Sequence, residues 1–145
     1  MLNFLSKYFH FQKRKQQTVY QIMIDRFANG SKFLKNNIGV IPPPFLGGNI
    51  KGIIKRLNYI EGLGTNSILL SPFFKSNAYH GYHCTTSSNE IEPQFGNEDD
   101  IRRLVKQIKE RKMTCGADLV PNHCHITNPI YVKHSDWFGF PNKEH

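Results

Sequence analysis

Two stretches of this chain carry the same pattern, and that pattern leaves few folds open. After Asn49, the residues Ile50, Ile53, Ile54, Leu57 and Ile60 recur at helical spacing and stop at Gly62 and Gly64. A short apolar run, Ser67-Ile68-Leu69-Leu70-Ser71, comes next and ends at Pro72. After Asn97 the pattern returns, with Ile101, Leu104, Val105 and Ile108 as the stripe. Asn49 and Asn97 are N-cap residues by type. Glu98, Asp99 and Asp100 sit in the first turn of the second helix, and Lys109, Arg111 and Lys112 near its end, as the helix dipole favours. Met113 to Val120 then reads as a third strand, and Val19-Tyr20-Gln21-Ile22-Met23-Ile24 precedes everything as a first.

Strands joined through helices pair in parallel with right-handed crossovers. The predicted order is β-loop-α-β-loop-α-β. The connections after the strands are long: Asp25 to Gly48, with Asn29-Gly30 and Pro42-Pro43-Pro44 as breakers, and Pro72 to Gly96. Those after the helices are short. Long connections in a compact domain are usually functional, and both emerge where parallel α/β folds carry their active sites. Ala117-Asp118-Leu119-Val120 reads as a buried strand that delivers Asn122 and His123 to that same face. No glycine-rich phosphate turn follows the first strand, which argues against a nucleotide-binding open sheet. The expected fold class is α/β, with the loop asymmetry of a (β/α)8 barrel.

Composition narrows the function classes. The chain has 145 residues, 39% hydrophobic and 21% charged, within the range of soluble globular proteins. No apolar run approaches the ~20 residues of a membrane span. Near the N-terminus the pairs Phe4-Leu5 and Tyr8-Phe9 are interrupted by polar residues, so no signal-peptide core is seen and a cytoplasmic protein is expected. Cys84, Cys115 and Cys124 fit reduced thiols. His80, His83, Cys84, His123, Cys124 and His125 could suggest zinc, but no pair of cysteines has the spacing of a structural site. Net charge is +8, yet Arg102, Arg103, Lys106, Lys109 and Arg111 share the polar face of one helix. Lys13-Arg14-Lys15 is the one dense cluster, and no aromatic-basic interleaving accompanies it, so nucleic acid is not an expected partner.

Several motifs, in order along the chain, resemble the α-amylase family, glycoside hydrolase family thirteen. Val19-Tyr20-Gln21-Ile22, followed by Asp25-Arg26-Phe27 and Asn29-Gly30, is similar to that family's opening strand. Gly47-Gly48-Asn49 with Gly52-Ile53 resembles its Gly-Gly-Asp helix start, and Leu70-Ser71-Pro72-Phe73-Phe74 its second strand. His80-Gly81-Tyr82-His83 and Glu92-Pro93-Gln94-Phe95-Gly96 resemble its second loop, and Asp118-Leu119-Val120-Pro121-Asn122-His123 its first conserved region. The resemblance makes the expected fold an incomplete (β/α)8 TIM barrel, the first three βα units only, and divides the chain into an N-terminal segment, residues 1–18, the first part of the catalytic barrel, 19–123, and the start of an insertion after strand three, 124–145.

The resemblance implies a barrel enzyme that cleaves α-1,4-linked glucans or maltooligosaccharides with retention, using a carboxylate nucleophile and a carboxylic general acid. The family's nucleophile, acid/base and third carboxylate follow strands four, five and seven, which are expected beyond His145. No catalytic residue is therefore assigned within this sequence, and the chain by itself is expected to be inactive; a full barrel takes about 250 residues. A non-catalytic carbohydrate-binding fragment, or the product of a decayed gene, is the alternative.

By the same resemblance, Tyr82 stacks on the sugar at the cleavage subsite, His123 hydrogen-bonds that sugar, and His80 is a further contact. Asp118 supports the site. The family pairs this acid with an arginine beside the nucleophile, absent here, so the sequence leaves Asp118 a partly buried, unpaired carboxylate. Asn122 matches a calcium ligand of many members. A second cation loop would draw on Asn29, Ser31, the Gly47 carbonyl and Asn49; in cation-binding relatives the positions of Asn29 and Asn49 are acids. With amides there, calcium is expected to bind weakly or not at all.

Overall fold

The computed structural model describes residues 16–31, 44–85 and 90–139. Lys13-Arg14-Lys15, the Pro42-Pro43 breaker and residues 86–89 of the second loop lie outside the described residues. So does His145, the position beyond which the catalytic carboxylates are expected.

Strand β1 (Val19–Ile22) is followed by a single-turn helix α1 (Ile24–Phe27), then α2 (Ile50–Gly62), β2 (Ser67–Leu70), α3 (Glu98–Glu110) and β3 (Thr114–Ala117). A short helix α4 (Pro129–Lys133) and a 3-10 turn (Ser135–Trp137) complete the described chain. The strands form one sheet in the order β1-β2-β3, parallel throughout, with Ile22 opposite Leu70 and Leu70 opposite Ala117. That is the predicted β-α-β-α-β order.

The helices begin where their caps dictate. The Asn49 side chain accepts from the Gly52 N–H, and that of Asn97 from the Asp100 N–H, each satisfying an orphan donor of the first turn. The α2 stripe packs against the sheet, and Ile50, Ile53, Leu57 and Ile60 are buried with Ile22, Ile24, Ile68 and Leu70. Leu104 and Ile108 of α3 and Phe95 of the second loop close the same core.

Three expectations need correction. The first strand stops at Ile22, because Met23 caps α1 and Ile24 and Asp25 turn inward as helix residues, fully buried. The third strand is Thr114–Ala117 alone; Asp118, Leu119 and Val120 lie beyond it, and Leu119 is 67% exposed. β3 is exposed at every residue rather than buried, because β2 covers one edge and no strand covers the other among the described residues. The connection from Pro72 to Gly96 is itself partly folded. Antiparallel bridges Phe74–Ile91 and Ser76–Cys84 fold it back on itself.

Candidate functional site

The two long connections and the segment after β3 meet beyond the C-terminal ends of the strands. Asp25 starts the first. Its buried carboxylate accepts the Leu46 N–H (2.9 Å) and the Gly47 N–H (3.0 Å). The neighbouring Arg26 ties loop to loop: its Nε lies 3.4 Å from Asp25, its Nη2 donates to the Pro44 carbonyl, and its guanidinium sits 3.9 Å over the Tyr79 ring. Neither role was assigned from sequence. The Asp25-Arg26 pair was visible only as a motif, and nothing local says that its partners lie many residues further along the chain.

Tyr82 follows Gly81, which is needed for two reasons. Its φ is +83°, and a Cβ there would meet the Pro72 carbonyl oxygen at 2.1 Å. The close approach presses the second loop onto the end of β2 and fixes where Tyr82 emerges. The Tyr82 hydroxyl donates to Asp118 Oδ2 at 2.5 Å. Asp118 is therefore not the unpaired carboxylate the sequence implied; a phenol thirty-six residues away in sequence supplies its hydrogen bond. The bond, then burial, then the charge of Asp118 push the Tyr82 hydroxyl above its ordinary value.

Both histidines dock on the Tyr82 backbone. The Tyr82 N–H donates to His80 Nδ1 at 3.1 Å, so the neutral His80 ring carries its proton on Nε2. The His80 and Tyr82 ring centroids are 5.7 Å apart. Burial, and secondly the nearby His83, lower the affinity of His80 for a second proton, which keeps the ring neutral. His123 Nε2 donates to the Tyr82 carbonyl at 3.1 Å, leaving Nδ1 as an acceptor in the neutral ring. Tyr82, His80, His123 and Asp118 thus form one connected group. An aromatic ring, the His80 Nε2–H and the His123 Nδ1 acceptor suit a ligand with apolar ring faces and hydroxyl edges.

The second loop is joined to the segment after β3 by a bond from the His125 N–H to the Cys84 carbonyl at 2.9 Å, and the Asn77 amide reaches His125 Nδ1 at 3.1 Å. Burial raises the Cys84 and Cys124 thiols, which disfavours the thiolate that metals bind. Among the described residues no group of three or more His, Cys, Asp or Glu side chains is placed to hold a metal ion. Asn122 is exposed and on its own offers calcium one neutral ligand of the six to eight it takes.

A parallel β-α-β-α-β sheet with its polar and aromatic groups gathered beyond the strand ends is the front part of a (β/α)8 barrel. The chain belongs to the α-amylase family: the family model "Alpha amylase, catalytic domain" matches residues 21–144. It is 42% identical over 119 residues to Alpha-amylase 2 of Dictyoglomus thermophilum, covering 82% of this chain and 21% of that one. It is 36% identical over 140 residues to an intracellular maltogenic amylase of Bacillus subtilis, covering 86% of this chain and 24% of that one. The solved α-amylase of Geobacillus thermoleovorans, complexed with acarbose, superposes with a TM-score of 0.74 at 35% identity, over 88% of this chain and 28% of that one. The chain therefore spans between a fifth and a third of the length of these relatives.

Proposed function

We propose that this chain supplies the sugar-contacting front of an α-amylase-type glycosidase acting on α-1,4-linked glucans by the retaining two-carboxylate mechanism. The observation that carries the reading is the Tyr82–Asp118–His80–His123 group, built from two loops at the strand ends. Tyr82 presents its ring to a glucose face, His80 donates from Nε2 to a sugar hydroxyl, and His123 accepts at Nδ1. Asp118 fixes the phenol and does not attack. The printed names of the relatives, and the acarbose complex of one of them, support a glucan as ligand. A cytoplasmic setting is part of the same reading; the relative named intracellular supports it, and no helix among the described residues is long and apolar enough to cross a membrane.

The chain alone is inactive in this reading, its catalytic carboxylates belonging to strands that would follow His145. A retaining glycosidase needs two carboxyl groups about 5–5.5 Å apart facing the glycosidic oxygen. Asp25 is committed to backbone N–H groups, Glu92 to the N–H groups of Ser76 and Gln94, and Asp118 to Tyr82. The same facts favour a second reading for the isolated chain, a non-catalytic glucan binder, since the binding group is assembled without a catalytic pair.

Titration of the purified chain with maltooligosaccharide, alongside Tyr82→Ala and His123→Ala, tests this. The expected result is weak binding by the chain, weakened at least tenfold in either variant, with no release of reducing sugar. Equal binding by all three proteins would remove the assignment of the site, and sugar release by the chain alone would remove the claim of inactivity.

A further inference from the structure

We propose that Trp137, backed by His134, is a second contact for an α-glucan: a flat ring on which one pyranose lies, apart from the Tyr82 group. The inference rests on the reading of the ligand as a glucan and adds a separate site to it.

The local sequence builds the platform. Asn128 caps α4 by accepting the Ile130 N–H at 2.9 Å, and Pro129 follows at the start of the helix, where its fixed φ and missing N–H suit it. At the other end His134 leads into the 3-10 turn Ser135–Trp137, and the Trp137 N–H donates to the His134 carbonyl at 3.0 Å. Side chains three residues apart eclipse one another in a 3-10 turn. The His134 and Trp137 rings accordingly stack, with centroids 4.1 Å apart and planes 11° from parallel. The next residue packs elsewhere: Phe138 is half-buried and meets the Tyr131 ring edge-on, centroids 5.2 Å apart.

Tryptophan is highly buried on average, yet Trp137 is 69% exposed. His134 covers one ring face, so exposure of that size leaves the other face open to solvent. A pyranose offers the complement, with C–H bonds on its face for the electron-rich ring and hydroxyls around its edge. Lys133, Ser135 and Asp136, all exposed, flank the ring in sequence and carry donors and acceptors for such hydroxyls. A patch that docks another protein is depleted of charge at its centre, and this one is not. The stack also fixes the ring before a ligand arrives, so little side-chain freedom is lost on binding. Val132 of α4 is exposed as well, and a protein neighbour is the occupant the test must separate from sugar.

The platform is fastened to the loop that carries Tyr82. Asn128 Nδ2 donates to the Cys84 carbonyl at 3.4 Å, and the His125 N–H donates to the same oxygen at 2.9 Å. The two contacts share no ring: Trp137 stacks on His134, and Tyr82 neighbours His80. Without a pair of positioned imidazoles around its ring face, Trp137 is the weaker of the two.

Trp137 is the single tryptophan of the chain, so its fluorescence reports this place alone. Maltoheptaose is titrated into the 145-residue chain, Tyr82→Ala and His134→Ala, following tryptophan emission and its quenching by acrylamide, with calorimetry in parallel. Before sugar is added, acrylamide should quench Trp137 freely. Sugar should change the emission saturably and shield the ring from acrylamide. Tyr82→Ala should keep this response with a half-saturation within about twofold of the parent, as independent sites do; His123→Ala serves where Tyr82→Ala does not fold. His134→Ala should raise the half-saturation about threefold or more, the effect of losing the ring that holds Trp137 in place. An emission that sugar leaves unchanged overturns the proposal. Calorimetric heat in that case leaves the Tyr82 site standing alone, and no heat removes both readings. A response lost in the Tyr82→Ala or His123→Ala variant also overturns it, since Trp137 then reports binding at Tyr82. So does a ring already shielded from acrylamide without sugar, because protein then covers it.

Discussion

The two βα units in this chain are alike in sequence pattern and unlike in completion. Around α2 the stripe is sealed: Ile50, Ile53, Leu57 and Ile60 are buried against the sheet, and the loop before them is pinned by Asp25 and Asn29. Around α3 only Leu104 and Ile108 are buried to that degree, while Ile101 and Val105 are half-buried. β3 is exposed along its length, and between it and α3 runs an apolar groove of about 500 Å³ bordered by Leu70, Phe73, Val105 and Met113. Amphipathicity prepares a face for burial, but a second layer must be present to bury it. In a (β/α)8 barrel the next βα unit lies at this edge.

The largest effect that can break this contrast is a core truncation made once on each side. Leu57→Ala should cost about 2–5 kcal/mol, since it opens a cavity in a sealed stripe. Val105→Ala, at the open groove, should cost about 1 kcal/mol or less. Urea midpoints of the two variants check this. Equal losses would mean that the α3 side is as tightly packed as the α2 side and that the asymmetry is false.

A smaller contrast is between two carboxylates at strand ends. Asp25→Ala leaves the Leu46 and Gly47 N–H groups without their acceptor in a buried setting and should cost about 3 kcal/mol. Asp118→Ala releases one phenol at a half-exposed place and should cost about 1 kcal/mol. If Asp118→Ala proves the more damaging in the same urea series, Asp118 is a structural keystone, and its part in presenting Tyr82 is secondary.

The contrast also explains what sequence could and could not tell. The helices were legible to the residue at their starts, because an Asn cap and an apolar stripe are local signals; Asn49 and Asn97 cap as their type suggests. Strand order was legible from the alternation of elements. The extent and burial of β3 were not: Leu119 and Val120 look like core residues, but a strand is buried only by neighbours on both sides. The resemblance offered Tyr82, His80, His123 and Asp118 as candidates, and the structure places these four in one connected group. Its wiring was hidden, because Tyr82 to Asp118 and Arg26 to Tyr79 are meetings of separate loops with no local pattern.

The smallest effect tests the one side-chain bond that joins Tyr82 to Asp118. Tyr82 belongs to the loop after β2, and Asp118 comes directly after β3. The phenol is raised above its ordinary 10.0, first by that bond, then by burial, then by the carboxylate's charge. A raised value means that the folded chain favours the neutral phenol. The stability this bond contributes is fully present below pH 10 and is lost as pH climbs through the folded value. The tyrosinate absorbance that Tyr82→Phe removes from a pH titration should therefore appear later than that of a free tyrosine. Asp118→Asn keeps an acceptor but removes the charge, so it should bring the Tyr82 transition part of the way back toward the ordinary value. If Tyr82 ionises at or below that value in the unaltered chain, the loop and the end of β3 are not held together in solution, and the open half is looser than the hydrogen bond implies.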